Sequence, residues 1–191
     1  LYPIWLQPFL VDTAISNVEL AGQLAMHVKW QEDIFEISAN LSDVFIDDED
    51  GRFGLYDLNG ALGWTTMHEA VPSDLTWQGG YVYAIPIGAS EIVAEVKASQ
   101  LNLQETWTLP ILDGELQLNE FSLHRLENEN TQWAFDGLLT PISMEALSSA
   151  LEWPTLHGKV SGIIPKVSYQ NQRIQVDGAL LVKLFGGTTV V

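Results

Sequence analysis

The sequence contains no cysteine among its 191 residues. A disulfide framework, a thiolate metal site and a thiol nucleophile are therefore excluded. The absence of cysteine does not by itself indicate a cellular compartment.

Basic residues are scarce as well. Eight Lys and Arg stand against 25 Asp and Glu, which gives a formal net charge of −17 at pH 7. Binding to nucleic acid depends on clustered Lys and Arg, so we expect no nucleic-acid partner. We interpret the acidic surface as a solvated one that promotes solubility.

Long hydrophobic runs are missing. No stretch is long enough to cross a bilayer, and no basic region is followed by the apolar segment of a signal peptide. Because the chain begins at Leu1, we expect it to be a segment of a longer polypeptide whose anchors, if present, lie elsewhere.

Motifs that carry catalysis or bind metals are also missing. Residues Gly158–Gly162 read Gly-Lys-Val-Ser-Gly, which fits neither a serine elbow nor a phosphate loop. The acidic run Asp47–Gly51 fails as a calcium loop because Ile46 would occupy the first ligand position, so a solvated hairpin turn is favoured. No two of the four histidines have the i, i+4 spacing of a metal pair.

We therefore predict no metal, no cofactor and no catalytic residue, and a protein that is not an enzyme. Carboxylate pairs for glycosidic cleavage depend on separation in space, and the excess of acidic residues makes that signal uninformative.

Apolar residues, at 47% of the chain, are arranged with the period of two that is typical of β-strands. One phrase, apolar-x-Gly-x-apolar, occurs six times, and its glycines are Gly22, Gly60, Gly114, Gly137, Gly158 and Gly178. In a strand each of these glycines lies in the apolar row, where it lets the strand bend or another group approach the backbone. The alternative is that each glycine only marks a strand start near a turn.

The alternation predicts a mainly β protein: a curved, elongated antiparallel sheet that forms a groove or half-open barrel, with one or two short helices, in one unit over residues 1–191. The stretch Leu1–Val11 suits a short helix or an irregular cap, and Gly79–Gly80 is a turn signal. Ser143 is a good N-cap, which predicts a helix that begins there and ends before Pro154.

An apolar row opposite a polar row is what a lipid-lining groove requires. The candidate groove residues are Leu24, Met26, Val28, Leu116, Leu118, Val176, Leu180 and Val182. Five of the seven tryptophans lie in strand-like stretches, where they either pack in the core or are exposed and stack on sugars. A carbohydrate-binding β-sandwich that uses Trp64 or Trp77 is therefore the alternative function.

Short phrases along most of the chain are shared with one family of proteins. They are Val44–Asp48, Gly51–Phe53, Leu58–Leu62, Leu109–Gly114, Pro141–Ser143, Leu151–Pro154 and Leu156–Gly162. In these phrases the chain resembles proteobacterial envelope proteins of the AsmA-like, YdbH-type class.

The resemblance implies a long, twisted antiparallel sheet folded into a groove, within a large periplasmic protein anchored in the inner membrane and associated with phospholipid movement. The implied partners are phospholipid or fatty acyl chains and the remainder of the same polypeptide. It offers no catalytic residue. The irregular spacing of the early glycine phrases and the helix at about Ser143–Leu151 depart from a continuous groove, and they would close or cap it.

Overall fold

The computed structural model describes residues 18–31, 34–65, 71–97, 100–125, 131–170, 173–178, 181–184 and 187–190. The cap predicted for Leu1–Val11 lies outside these residues. Within them the fold is one antiparallel sheet with one short helix, which confirms the predicted mainly β class.

The elements follow one another in a simple order. They are β1 (Val18–Gln31), β2 (Ile34–Asp48), β3 (Phe53–Thr65), β4 (Val71–Val82), β5 (Ile85–Lys97), β6 (Gln100–Leu103), β7 (Trp107–Ile111), β8 (Gly114–Arg125), β9 (Thr131–Ser143), α1 (Met144–Ala150), β10 (Lys159–Gln170), β11 (Arg173–Asp177), β12 (Leu181–Leu184) and β13 (Gly187–Val190).

The strand positions across the sheet follow the order of the strands in the chain, so the whole sheet is a meander. β6 and β7 share one position between β5 and β8, and β11 and β12 share one position beside β10. Thirteen strands therefore fill eleven positions. In the described part of the chain β1 and β13 are the two edges, and they do not pair with each other.

The pairing register sorts the side chains into two faces, because residues opposite each other on neighbouring strands point to the same side. Leu24 pairs with Leu41, Leu41 with Gly60, Gly60 with Leu75, and Leu75 with Ile92. We call this side the apolar face. It also carries Met26, Val28, Ile37, Leu62, Trp64, Val96, Leu101, Phe121, Leu123, Trp133, Phe135, Val167, Tyr169, Ile174 and Val176.

The opposite face carries mainly polar side chains. Lys29 lies across from Glu36, and Ser122 lies between Asn102 and Ala134. One face apolar and the other wetted is the pattern predicted from the alternation of the sequence.

Bulges in the middle of the strands bend the sheet. Asp43 on β2 and Asp57 on β3 have positive φ angles of 51° and 54°, and the pairing register of β2 with β3 shifts beside each of them. The pairing register of β9 with β10 shifts across Pro165. An extra residue on one strand bends that strand and increases its twist. Residues of β3 and β5 approach within 8 Å between Cα atoms although β4 separates them, whereas a flat sheet would keep them roughly 9.5 Å apart. The sheet therefore curls about β4.

A hydrophobic core lies inside this curl. Val44, Leu58, Trp77, Ile87 and Leu109 are buried and pack together, and they come from five different strands. Leu41, Leu75 and Ile92 of the apolar face pack against the same cluster. The apolar face is therefore the inner face of the curved sheet.

Helix α1 covers one end of the core. Ser143 is its N-cap, and its Oγ accepts a hydrogen bond from the Ala146 N–H at 3.2 Å, as predicted. Met144 and Ser148 are buried, and the helix contacts both β9 and β5. We call this end, with the turns at 49–52, 83–84 and 112–113, the closed end of the sheet, and the other end the open end.

One sequence prediction about a turn is wrong. β4 continues through Gly79 and Gly80, and the turn lies at Tyr83–Ala84. Gly80 faces the backbone of Gly54, so its missing side chain serves close strand packing and not chain reversal.

Candidate functional site

The apolar face at the open end exposes side chains that a soluble sheet normally buries. Leu24, Met26 and Val28 on β1 are 52%, 54% and 56% exposed, and Ile174 and Val176 on β11 are also exposed. Between these two strands the face continues through half-buried apolar side chains such as Leu75 and Ile92. The result is an apolar surface across ten of the eleven strand positions.

The candidate groove residues therefore fall into two groups. Leu24, Met26, Val28 and Val176 lie on the exposed part of the apolar face, whereas Leu118 is buried and Leu116 packs against the core. Two further candidates cannot be placed in either group. Leu180 lies outside the described residues, and Val182 on β12 pairs with Gly162.

Three of the six motif glycines lie inside strands, in the apolar row. They are Gly22, Gly60 and Gly137. A Cβ on any of them would collide with a backbone oxygen of the neighbouring strand. Gly22 and Gly60 also have φ angles of +123° and +134°, which side-chain-bearing residues rarely adopt.

The other three glycines lie at the ends of strands. Gly114 begins β8 directly after a turn, and Gly158 directly precedes β10, so both fit the alternative that the glycine marks a strand start. Gly178 follows β11, at the break between β11 and β12, with a φ angle of +126°. The glycine phrase therefore marks both close strand packing and strand ends.

Aromatic side chains gather at the open end. Trp30 and Trp64 each contact Phe35 edge-on, with ring centroids 6.3 and 5.7 Å apart. On the same face, near the other lateral edge of the sheet, Trp133 on β9 stacks on Phe135 and on Tyr169. Aromatic rings therefore border the apolar face near both of its lateral edges.

Trp77 belongs to the core and not to this border. It is 5% exposed, its Nε1–H donates to the carbonyl oxygen of Gly88 at 3.1 Å, and its ring packs edge-on against Trp107. A buried indole offers no flat surface to a sugar, so Trp77 is wrong as a sugar-stacking residue. Trp30, at 78%, is the most exposed of the described tryptophans on the sheet.

A brace on the opposite face stiffens the closed end. The Tyr81 O–H donates to Asp47 Oδ1 at 2.6 Å, so the side chain of β4 reaches β2 by crossing over Gly54 on β3. The hydrogen bond to the Asp47 carboxylate, with some desolvation, raises the pKa of Tyr81 to about 12. In the sequence, only a glycine within a strand, Gly54, points to this brace. That Asp47 and Tyr81 lie on either side of Gly54 follows from the strand pairing.

The acidic run at the closed end is a hairpin turn, as predicted, but its second member, Asp48, is not solvated. Asp48 is 2% exposed and accepts hydrogen bonds from the Arg52 N–H, Nε and Nη2 at 2.9, 2.8 and 2.6 Å. The Arg52 guanidinium lowers the pKa of the Asp48 carboxyl below its usual value. The run therefore supplies an ion pair between a buried carboxylate and a partly exposed guanidinium, and this pair fixes the turn.

The described residues bring together no group of three or more side chains suited to hold a metal ion. Within the same residues, no helix has the length and apolar character needed to span a membrane. His27 is exposed, and exposed His157 hydrogen-bonds Glu145 at 2.8 Å.

Comparison of the chain with protein-family models, with curated proteins and with solved structures gave no match. The resemblance to AsmA-like envelope proteins therefore stays a prediction. The geometry of the apolar face is the basis for a functional proposal.

Proposed function

We propose that this protein is a non-enzymatic module that binds lipid acyl chains on the inner, apolar face of its curved sheet, and that it serves to carry or conduct them between membranes. The observation that carries the proposal is the exposed apolar surface across ten strand positions, with a polar face on its other side. A sheet that only needed a core would not leave Leu24, Met26 and Val28 about half exposed in a row.

The energetics favour an extended apolar ligand. Each methylene group that moves from water onto an apolar surface gains roughly 0.8 kcal/mol. The surface from β1 to β11 crosses nine inter-strand steps of about 4.8 Å, roughly 43 Å along the curve. An acyl chain can lie along such a surface without any specific polar contact.

The closed end limits where a ligand can lie. Ile142, Met144 and the buried cluster around Trp77 already fill the apolar face there. A bound chain therefore occupies the open end, with α1 as a stop. By the resemblance, this segment belongs to a periplasmic protein anchored in the inner membrane, with phospholipid or fatty acid as its ligand.

The test compares two apolar, half-exposed side chains on opposite faces. Val176 on the apolar face is 49% exposed and Ile163 on the opposite face is 51% exposed. We expect Val176→Gln to raise the Kd for a fluorescent fatty acid about tenfold, because losing one buried valine contact costs about 1.5 kcal/mol. Ile163→Gln should leave the Kd unchanged.

The same preparation is examined for bound ligand. Protein expressed in a bacterial host is extracted with organic solvent, and the extract is analysed by mass spectrometry for phospholipid or fatty acid. The proposal fails if the extract contains no lipid and the purified protein takes up no fluorescent fatty acid.

Carbohydrate binding is the second candidate, and one observation favours it. Trp30 is highly exposed beside Phe35, and an exposed indole face can stack on a sugar ring. Affinity for a glycan array that is lost in Trp30→Ala, with no uptake of fatty acid, would favour this candidate over the lipid one.

A further inference from the structure

The first strand of the sheet is a long and unusually accessible edge. β1 has 14 residues and no proline, and within the described residues it pairs with β2 alone. Every residue from 21 to 31 on it is exposed. Natural proteins blunt such edges with short strands, proline or inward charges, because an open edge adds a further strand readily.

The sequence of β1 is self-complementary when it is read antiparallel to itself. Taking Leu24 as the centre, Glu19 lies five residues before it and Lys29 five residues after it. In an antiparallel pair of two β1 strands centred on Leu24, each Glu19 would lie opposite a Lys29. Leu20 would lie opposite Val28, so apolar residues meet apolar residues on the other side.

From this pattern we propose that two copies of this chain associate by pairing β1 with β1, antiparallel, about a twofold axis that passes beside Leu24. Two Glu19–Lys29 ion pairs on the opposite face fix the register. The association needs no lipid, so it is separate from the proposed function.

The symmetry of this pairing has a geometric consequence. The twofold axis between two antiparallel strands stands perpendicular to the sheet, so both copies keep their apolar faces on the same side. Eleven strand positions from each copy then form one continuous sheet. The exposed Leu24, Met26 and Val28 come to lie at the centre of a joined apolar surface instead of at its margin.

Charge complementarity favours a second copy as the occupant of this edge. Glu19 and Lys29 are the only Asp, Glu, Lys or Arg residues of β1, and the centred register pairs them with opposite sign. A one-residue slip would move the apolar side chains of one copy to the wrong face. The centred register satisfies both the charges and the faces.

The first experiment uses the absence of cysteine from the chain. In Leu24→Cys the two thiols are directly opposite each other, with Cα atoms about 4.5–5.5 Å apart, within the range that a disulfide bridges. Mild oxidation should therefore give a covalent dimer. Val28→Cys is the matched control, with the same face and similar exposure, and its two thiols are separated by eight residues, roughly 27 Å.

The second experiment exchanges the charges and measures association by sedimentation equilibrium. Lys29→Glu places like charges opposite each other at two symmetric positions and should weaken the dimer about tenfold. The double variant Glu19→Lys with Lys29→Glu should restore it. Far-UV circular dichroism checks that each variant keeps its sheet.

Three results would overturn the inference. The first is a native protein that stays monomeric at every concentration tested, which is the result expected if another part of its own chain covers the edge. The second is a Val28→Cys variant that crosslinks as fast as Leu24→Cys. The third is a set of charge variants that leave the association constant unchanged. Lipid uptake is measured separately on each variant, so failure of the dimer and failure of lipid binding give different patterns.

Discussion

The two ends of the apolar face have the same kind of side chains but opposite surroundings. At the closed end Leu58, Trp77 and Ile142 are buried, and α1 lies against β9 and β5. At the open end Leu24 and Val28 of the same face are about half exposed. Apolar patterning along a strand therefore selects the face of a side chain, whereas curvature and covering elements decide whether that side chain is buried.

This difference separates stability from binding. Burial of apolar side chains stabilises the folded state, so the closed end carries the larger share of the folding free energy. The open end leaves similar side chains accessible, where they are free to gain the same energy from a ligand. Substitutions at the two ends should thus affect different measurements.

The largest expected effect comes from the core of the closed end. Trp77→Ala should lower the free energy of unfolding by about 3–5 kcal/mol, because it removes a packed indole and leaves a cavity. Trp30→Ala, at the open end, should lower it by about 1 kcal/mol or less. Urea denaturation followed by circular dichroism measures both.

If Trp77→Ala does not fold, Leu58→Val replaces it, with an expected loss of about 1 kcal/mol. Equal losses for Trp77→Ala and Trp30→Ala would contradict the division into a closed and an open end.

An intermediate effect is expected at the glycines that allow strands to pack closely. Gly60→Ala should destabilise the protein by about 2 kcal/mol, since its φ angle of +134° is unfavourable for alanine and its Cβ would collide with the Asp74 carbonyl oxygen. Gly79→Ala is the control, because the nearest atom to its Cβ would be at an ordinary contact distance of 3.6 Å. Thermal unfolding of the two variants distinguishes destabilisation by a steric collision from the effect of replacing any strand glycine with alanine.

In Gly79→Ala we expect no loss, and a small gain of about 0.5 kcal/mol is compatible with a stiffer unfolded chain. The assignment of Gly60 to close strand packing is wrong if both alanine variants are equally stable.

The smallest expected effect concerns the brace on the closed end. Tyr81 should titrate at about 12 in an absorbance titration near 295 nm, and Asp47→Asn should lower that value. Because the folded pKa is raised above the ordinary value of 10.0, the contribution of Tyr81 to stability is complete below pH 10 and is lost as the pH rises towards 12.

Tyr81→Phe isolates the hydrogen bond and should cost about 1 kcal/mol at pH 7. Asp50→Asn, on the exposed turn near the brace, should leave the tyrosine titration unchanged. A normal titration of all tyrosines in the native protein would show that the brace does not form in solution.

Much of this fold follows from the sequence, and the exceptions have physical causes. The period-two alternation identifies the strands and their faces, and Ser143 identifies the helix, because both signals are local. The turn is misplaced at Gly79–Gly80 since a glycine pair that permits a turn also permits close packing against Gly54. Only the three-dimensional pairing distinguishes the two.

The candidate site is predictable in part for a similar reason. Leu24 and Leu118 have the same alternation in sequence, but one is exposed at an edge strand and the other is buried inside the curl. The bulges at Asp43 and Asp57 that produce the curl have no strong sequence signal, because aspartate is common in turns and on surfaces alike.

The meander described above also governs how the chain reaches its structure. Since each strand hydrogen-bonds only to strands that lie one or two places away from it in chain order, only short loops have to be closed before pairing begins, and the entropic cost of each step is low. Folding can therefore begin at any hairpin and spread outwards. Lengthening or trimming such a chain by a hairpin at β13 requires no rerouting of the strands already in place.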